Sequence, residues 1–403
     1  MKKKLMILGG SRYIIPVIEA AHKLNCHVIT CDYLPDNIAH RYSDEYHNAS
    51  IIDKEAILSI AQALNIDGIM SFAADPGVLT AAFVAESMEL PFQGSFESIK
   101  ILQNKDMFRA FLADNDFNCP QAFCLTSVGQ AMQLADCFPY PVISKPVDSA
   151  GSKGVSRVDN PVELKAAVEY ALSFSLSGAC IVEQFIEKSG ASSDADGFFV
   201  KGCLECLSFT EQLFDSSSEN PYVPAAYCMP TAMKDEHQYQ LLSDLQRLAS
   251  LLQLEDGIFN IETRIGLDGN PYIMEMAPRG GGNRLAEMLR FASGVDLIKA
   301  SVQVATRNTV DAVCMPVYDG FWYQLMLHSA KDGIFQEIVF SGDFEKKHVV
   351  DFSPWIEPGS PVSSFTAANQ AFGSIILRFE KKNELEEFLT APEEFMQVVL
   401  TEA

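Results

Sequence analysis

The chain has 403 residues, of which 48% are hydrophobic and 21% charged, so it can form two or three folded domains and is not a disordered or low-complexity protein. Its formal net charge of −23 repels phosphate backbones and anionic lipid surfaces, which argues against nucleic-acid and membrane partners. No apolar run approaches the ~18 residues of a membrane-spanning helix, and the scattered cysteines are typical of reduced thiols. We therefore expect a cytoplasmic protein.

Residues 1–103 alternate strand and helix patterns. Short apolar runs at 4–8, 27–31 and 68–72 predict buried strands, and apolar residues at helical spacing lie between and after these runs. This order predicts a βαβαβ unit whose parallel sheet is covered on both faces, which is a Rossmann-like lobe.

Gly9 and Gly10 follow the first predicted strand, and Asp32 closes the second. This arrangement loosely imitates a dinucleotide-binding fingerprint, but Tyr13 stands where the third glycine should allow close packing. A nicotinamide-dependent oxidoreductase is therefore disfavoured but stays open, and ligands are still expected at the carboxyl edge of this sheet.

The rest of the chain divides into two predicted regions. Residues 104–308 mix helix and strand patterns, including a hairpin over 197–209, and predict an α+β region. Residues 309–403 hold short strand patterns separated by Gly and Pro turns and followed by a charged helix, which predicts a β-rich domain. The expected fold class is α/β plus α+β, in three domains.

A loop rich in small residues follows the predicted strand that ends near Lys145. The backbone N–H groups of such a loop can converge on phosphate oxygens while lysines add positive charge, but glycine and serine also form plain surface turns. If the loop binds phosphate, the contacts come from Lys145, Ser149, Gly151, Ser152, Lys153 and Gly154.

Two strand patterns flank a turn at Asp268-Gly269. A turn centred there places Glu262 directly opposite Glu275. The same register places Asn260 and Arg264 on the glutamate face and assigns to the core Phe259, Ile261, Ile265, Tyr272, Met274 and Met276. Opposed carboxylates repel unless a cation lies between them, and Mg²⁺ accepts such ligands when phosphates complete its shell. A solvated acidic face balanced by Arg264 is the alternative.

Arg279 follows this hairpin directly and precedes a run of glycines. An arginine there can form bidentate hydrogen bonds to a phosphate or a carboxylate, because no bulky side chain blocks the approach. A flexible loop is the structural alternative.

Taken in this order, the motifs resemble the ATP-grasp superfamily, specifically the carboxylate–amine ligase branch related to biotin carboxylase, glycinamide ribonucleotide synthetase, carbamoyl phosphate synthetase and the L-amino-acid ligases. The resemblance extends from residue 4 to the β-rich tail. It implies two α+β subdomains that hold ATP between them and Mg²⁺, or alternatively Mn²⁺, as the metal. Homodimers are common among such enzymes.

The resemblance also implies roles for individual residues. Glu262 and Glu275 would bind the metal, and Lys145, Glu275 and Arg279 would be catalytic. The nucleotide would be bound by the loop residues above and by Lys105, Glu183, Gln184, Phe185, Ile186 and Glu187, with Glu183 and the backbone of Phe185 and Ile186 reading the adenine edge. Substrate contacts would come from Gly10, Ser11, Asp75, Arg279, Gly281, Asn283 and Arg284.

The chain departs from the family pattern at two positions. Ala277 occupies a metal-shell position that is commonly asparagine, so water, Asn283 or Asn260 would have to replace that ligand. The acidic residue that often holds the ribose falls near Ser192, which shifts that contact to Glu187 or Asp194.

The resemblance implies a ligase that uses ATP to convert a carboxylate into an acyl phosphate, which an amine attacks to give an amide, ADP and phosphate. The substrates would be small molecules, amino acids among them. Activation of bicarbonate and a purine-pathway ligase are alternatives within the family. A nucleotide-binding module without turnover is the alternative outside catalysis, and Ala277 favours it.

Overall fold

The computed structural model describes residues 2–148 and 153–402, and its first lobe is built on a parallel sheet with strand order β3-β2-β1-β4. Alternate residues of β1 pack on opposite faces, Leu5 and Ile7 on one and Met6 and Leu8 on the other, so both faces are covered as predicted. The short polar strand β3 was not predicted, because it lacks an apolar pattern. The elements are β1 (Lys4–Leu8), α1 (Ile15–Lys23), β2 (His27–Asp32), β3 (Glu45–Asn48), α2 (Lys54–Leu64), β4 (Gly68–Ser71), α3 (Val78–Ser87) and α4 (Phe96–Gln103).

A small antiparallel sheet with strand order β5-β8-β6-β7 follows. Two helices cover one face, burying Ala131, Leu164 and Val168 against it. The sheet carries Lys145 on β6 and the predicted hinge on β8. Its elements are α5 (Lys105–Asp114), β5 (Ala122–Leu125), α6 (Val128–Gln133), β6 (Val142–Pro146), β7 (Ser156–Val158), α7 (Pro161–Ser173) and β8 (Cys180–Gln184).

The central sheet has strand order β10-β9-β13-β14 and is antiparallel throughout. Its core side packs on the apolar stripe of α8, formed by Leu241, Leu245 and Leu248. Both predicted hairpins, β9–β10 and β13–β14, are confirmed. The elements are β9 (Ser193–Val200), β10 (Cys203–Phe209), β11 (Glu211–Phe214), β12 (Pro224–Met229), α8 (Asp235–Leu251), β13 (Gly257–Ile265), β14 (Pro271–Ala277), α9 (Leu285–Ser293) and α10 (Leu297–Ala305).

The C-terminal part forms a sheet with strand order β11-β12-β15-β19-β17 and a second one with order β18-β16-β20. The first of these sheets includes β11 and β12 and therefore combines strands from both sides of residue 308. The domain boundary after residue 308 stays a prediction. The final strand β20 was not predicted, because the charged helix was taken as the last element of the chain. The elements are β15 (Phe321–Leu327), β16 (Gly333–Phe340), α11 (Phe344–His348), β17 (Val349–Pro354), β18 (Pro361–Val362), β19 (Gly373–Phe379), α12 (Lys382–Thr390) and β20 (Met396–Thr401).

Short 3₁₀ turns complete the described chain at Arg12–Ile14, Ile38–Arg41, Asp75–Gly77, Ala135–Cys137, Ala368–Gln370 and Pro392–Glu394. Within residues 2–148 and 153–402, none of the helices combines the length and the apolar composition that a bilayer crossing requires.

The predicted register of β13 and β14 is correct up to Glu262 and shifts by one residue after it. Glu262 pairs with Glu275, but Thr263 pairs with Ile273, because a bulge lies between these two pairs. The bulge brings Ile273 into the core, and Tyr272 and Met274 are only partly buried. Assigning Tyr272 and Met274 to the core was therefore wrong.

Candidate active site

Three carboxylates form a row across the central sheet. Glu262 on β13 lies opposite Glu275 on one side, as predicted, and opposite Asp194 of β9 on the other. Because directly paired residues point to the same face, all three share the face turned away from α8. Asp194 was predicted only as an alternative ribose contact, since the pairing of β9 with β13 joins distant parts of the chain.

The row is electrostatically unfavourable without a cation. Although solvent reaches the Glu262 side chain, the surrounding protein desolvates it, and this desolvation together with the charge of Glu275 raises its pKa. Burial, Glu262 and Asp196 likewise raise the pKa of Asp194 well above its ordinary value. A divalent cation between Glu262 and Glu275 would relieve this repulsion, so the residues present fit Mg²⁺.

Among the described residues, no group of three or more His, Cys, Asp or Glu side chains is arranged to hold a metal by itself. Two replacements were considered for the ligand missing at Ala277. Asn260 donates from Nδ2 to Asp194 Oδ1 at 2.6 Å, and its Oδ1 accepts from Arg279 Nη1 at 3.0 Å. Asn283 donates from Nδ2 to Tyr227 Oη at 2.8 Å. Both amides are thus engaged, which leaves phosphate oxygens and water to complete a metal shell.

The two predicted phosphate lysines approach this row from neighbouring elements. Lys105 is the first residue of α5, and its Nζ lies 3.7 Å from Glu275 Oε2. Lys145 lies on β6, and both lysines lower the pKa of Glu262 against the larger effects that raise it. The structure therefore brings two cations and two acidic groups together, and their roles in binding phosphate and metal stay predictions.

Glu183 does not fit its predicted role at the adenine edge. Its Oε1 accepts from Lys145 Nζ at 2.5 Å and its Oε2 from Arg109 Nε at 2.8 Å. The side chain is only 1% exposed, so the carboxylate lies beneath Lys145 rather than at the cleft surface. Burial alone would raise the pKa of Glu183, but Arg109 and Lys145 outweigh it and lower the pKa to about 2.

Arg109 was missed by the sequence analysis. It lies four residues after Lys105 on α5, so both side chains share one face of the helix. Its guanidinium also donates from Nη2 to the carbonyl oxygen of Met274 at 2.8 Å. The sequence signal for Arg109 is a basic residue four positions after a predicted phosphate lysine, between the apolar residues Phe108 and Leu112.

The hinge residues after β8 are partly engaged within the protein. Phe185 N–H donates to the carbonyl of Pro141 at 2.9 Å, and the carbonyl of Ile186 accepts from Arg264 Nη1 at 3.0 Å. Gln184 is exposed, and the exposed Glu187 accepts from Arg157 Nη2 at 3.1 Å. Their nucleotide roles stay predictions.

The glycine-rich loop is described only in part. Ser149, Gly151 and Ser152 lie outside the described residues. Lys153 is exposed, and Gly154 has a φ of +71°, where a side chain would also meet Pro146. A glycine is therefore required at position 154 by the backbone as well as by packing.

Arg279 forms a bidentate pair with Asp75. Its Nε and Nη2 each donate to one oxygen of Asp75 at 2.8 Å, which joins the first lobe to the end of β14. Burial raises the pKa of Asp75, but Arg279 outweighs it and lowers the pKa. The structure thus brings two predicted substrate residues together as partners.

Three further predicted substrate residues, Gly10, Ser11 and Gly281, are engaged or buried within the protein. Gly281 N–H donates to Asp196 Oδ1 at 2.8 Å, and the hydroxyl of Ser11 is buried without a hydrogen-bond partner among the described residues. Gly10 packs so closely on His40 that a side chain there would clash with its ring.

Arg284 is unavailable to a substrate, contrary to the prediction. Its Nη1 donates to Asp351 Oδ2 at 2.6 Å, and its Nε and Nη2 pair with the Glu287 carboxylate. The guanidinium therefore holds the C-terminal sheet against α9. This pairing was not predictable from local sequence, because Asp351 belongs to the distant strand β17.

Comparison with known proteins agrees with this geometry. Residues 138–287 match the model of the ATP-grasp domain family. Residues 138–287 are therefore similar to an ATP-grasp domain. The matched segment contains Lys145, Glu183, Glu262, Glu275 and Arg279.

The chain is also similar to part of a longer protein. It is 24% identical over 328 residues to the carbamoyl phosphate synthase large chain of Helicobacter pylori, in an alignment that covers 75% of this chain and 29% of that protein. The chain thus spans less than a third of the length of that relative.

Two solved structures share the fold across nearly the whole chain. One is an L-amino acid ligase from Bacillus licheniformis, with a TM-score of 0.79 at 20% identity, covering 99% of both chains. The other is the biotin carboxylase domain dimer of a 2-oxoglutarate carboxylase from Hydrogenobacter thermophilus, in complex with MgADP and bicarbonate. That comparison has a TM-score of 0.74 at 15% identity and covers 99% of this chain and 91% of the other.

Proposed function

We propose that this protein is an ATP- and Mg²⁺-dependent ligase that joins a small-molecule carboxylate to an amine through an acyl phosphate, releasing ADP and phosphate. The observation that carries the proposal is the Glu262–Glu275 pair facing Lys105 and Lys145. A nucleoside triphosphate requires acidic groups that bind its metal ion and cations that bind its phosphates, placed side by side. The ATP-grasp domain, and the MgADP bound by a protein of the same fold, support it.

The nucleotide half of the cleft would work by positioning and charge neutralisation. Lys105 and Lys145 would bind phosphate oxygens, and the loop carrying Lys153 would exclude water. Mg²⁺ bound by Glu262 and Glu275 would supply further neutralisation of phosphate charge. Because Glu183 is occupied, we assign the adenine edge to the hinge backbone, namely the Phe185 carbonyl and the Ile186 N–H.

The carboxylate half of the cleft would be organised by Arg279. A carboxylate is a poor electrophile because its leaving group is an oxide ion, and phosphorylation replaces that group with phosphate. Arg279 lies buried between Asp75 and Asn260, where its orientation is fixed before substrate arrives. Because Nη1 also donates to the Gly280 carbonyl, one N–H of Nη2 is left to bind the carboxylate or the transferring phosphoryl group.

Activation of bicarbonate and a purine-pathway substrate stay alternatives within this proposal, which does not specify the acceptor amine. Cytoplasmic localisation and a homodimer stay predictions, and a dimer is recorded for the biotin carboxylase domain of similar fold.

A screen of pooled carboxylic acids and amines, with Mg-ATP and a phosphate-release assay, tests the proposal. The expected result is phosphate release that requires one acid pool and one amine pool together. Release with bicarbonate alone would favour bicarbonate activation. A thermal shift with Mg-ATP but no release in any pool would contradict the ligase and leave a nucleotide-binding module.

A further inference from the structure

A buried triad of one carboxylate and two cations lies beneath the cleft. Glu183 is 1% exposed and Arg109 3%, whereas Lys145 is 15% exposed and faces the cleft. The carboxylate accepts from Lys145 at 2.5 Å and from Arg109 at 2.8 Å. All three groups belong to different elements, β8, β6 and α5.

The charges of the triad add to one net positive charge. Without Arg109, the charges of Lys145 and Glu183 would cancel. The buried carboxylate would also attract Lys145 more strongly, because it would have lost its ion pair with Arg109. A phosphate would then meet a neutral Lys145–Glu183 ion pair, which attracts it less strongly than a net positive charge does. Arg109 supplies the charge that offsets the carboxylate.

Arg109 is held in place by more than this one contact. Its Nη2 also bonds the carbonyl of Met274, the residue before Glu275. The same guanidinium therefore contacts both the carboxylate that binds Lys145 and the strand that carries Glu275, the predicted metal ligand.

We propose that Arg109 is a positioning residue that offsets the charge of Glu183, so that the charge of Lys145 remains available to nucleotide phosphates. The inference rests on the proposed ATP binding. Arg109 itself does not touch the nucleotide. A purely structural role, in which Arg109 only ties α5 to β8, predicts different behaviour when both partners are replaced.

Variants that remove the charge of one or both partners distinguish the two roles. In Arg109→Gln, Glu183 is left to neutralise Lys145, and we expect Mg-ATP to bind at least about tenfold more weakly. In the double variant Arg109→Gln/Glu183→Gln, the carboxylate charge is removed as well, and binding should return to within about threefold of the unmodified protein. Arg109→Lys, which keeps the charge, should also retain binding.

The measurements are the Kd of Mg-ATP by isothermal titration calorimetry, the KM for ATP, and urea unfolding of each variant. A double variant that folds but binds as weakly as Arg109→Gln, or more weakly, would overturn the inference in favour of the structural role. The double variant removes the buried Arg109 and Glu183 charges together and leaves Lys145 with the amide oxygen introduced by Glu183→Gln as a hydrogen-bond acceptor, so it stays informative if Arg109→Gln fails to fold. Binding of the double variant is measured at about pH 6 as well as about pH 8, so that loss of the Lys145 proton is recognised by recovery at the lower pH.

Arg247→Gln serves as the matched control, because this arginine stacks on Phe117 away from the cleft. Its Mg-ATP binding should equal that of the unmodified protein. If the unmodified protein binds no Mg-ATP, the proposed function fails. If it binds and Arg109→Gln binds equally well, only the role of Arg109 fails.

Discussion

Glu262 and Glu275 place two negative charges opposite each other on one sheet face. Such a pair lowers the stability of a hairpin unless a cation lies between the carboxylates, since like charges directly across two strands repel. Lys105, 3.7 Å from Glu275, offsets only part of this repulsion. A glutamine at either position should therefore separate the function of the pair from its effect on folding.

In Glu275→Gln we expect phosphate release to fall by about 10²-fold or more, because the metal loses a charged ligand and the transition-state charge is less well neutralised. The free energy of unfolding should change by less than about 1 kcal/mol, because repulsion from Glu262 disappears together with a partly exposed ion pair. Steady-state phosphate release and urea unfolding measure the two effects. Full activity in a folded Glu275→Gln protein would contradict the metal assignment, and Glu255→Gln, at an exposed position, is the control.

Asp196 should make stability depend on pH. Burial raises its pKa to about 6 although Gly281 N–H and the Asn260 amide lower it, and its Oδ2 has no hydrogen-bond partner among the described residues. The folded protein then holds a proton that the unfolded chain releases, so the stabilisation is complete below about pH 4 and is lost as the pH rises through 6.

Asp196→Asn should remove this dependence. Its free energy of unfolding, relative to the unmodified protein, should increase from pH 4 to pH 7 by up to about 3 kcal/mol. Urea unfolding at both pH values measures the difference. Asp319→Asn, at a side chain that is 82% exposed, is the control and should follow the unmodified protein. Parallel pH curves for Asp196→Asn would show that the carboxyl is ionised throughout.

The bulge after Glu262 decides which side chains of β14 build the core. Ile273 is 3% exposed and packs with Phe259 and Ile261, whereas Met274 is only half-buried. A single extra residue therefore keeps the glutamates aligned while reversing the faces of the strand beyond them.

Ile273→Ala should lower the free energy of unfolding by about 2–4 kcal/mol, because it leaves a cavity in the core. Met274→Ala should cost less than half as much, since that side chain is partly in solvent. Urea denaturation of both variants measures the difference. Equal losses, or a larger loss for Met274→Ala, would mean that the strand has the regular register without the bulge.

Helix α5 brings two cations to the site from a single face. Lys105 lies near Glu275 on β14 and Arg109 pairs with Glu183 on β8, so a small rotation of α5 would displace both basic groups. A helix is suited to this task because residues four apart lie one above the other.

Basic side chains gather at the cleft although the chain as a whole is strongly acidic. The chain carries a net charge of −23, yet Lys105, Lys145, Arg264 and Arg279 converge on the cleft. Because these cations lie beside Glu183, Glu275 and Asp75, they offset the repulsion on a triphosphate only in part, and the proposed Mg²⁺ would supply the remaining positive charge.

Two arginines join the three parts of the molecule. Arg279 connects the central sheet to the first lobe through Asp75, and Arg284 connects it to the C-terminal sheet through Asp351. These contacts place the cleft where the three parts meet. The lobes should therefore unfold together as long as the arginines stay paired.

Arg284→Gln should lower the free energy of unfolding by about 3 kcal/mol, because it leaves Glu287 and Asp351 close together without a cation. Thermal and urea denaturation measure the loss, and limited proteolysis should show earlier cleavage within the C-terminal part. Arg378→Gln, whose partner Asp319 is exposed, is the matched control and should cost less than about 1 kcal/mol. Equal stability of the two variants would contradict the joining role.

Features set by neighbouring residues were predictable from the chain alone. The order of strands and helices, the two hairpins and the pairing of Glu262 with Glu275 follow from apolar periodicity and from turns a few residues long. The motif order also indicated the family. The polar strand β3 and the bulge in β14 escaped, because neither leaves an apolar pattern.

Partners distant in the chain became visible only in the folded molecule. Arg109 meets Glu183 across 74 positions, and Asp75 meets Arg279 across 204. The same holds for Asp194 beside Glu262 and for the diversion of Arg284 to Asp351. A hydrogen bond along a turn is specified by local geometry, whereas these contacts depend on how whole elements pack, which no short stretch of sequence encodes.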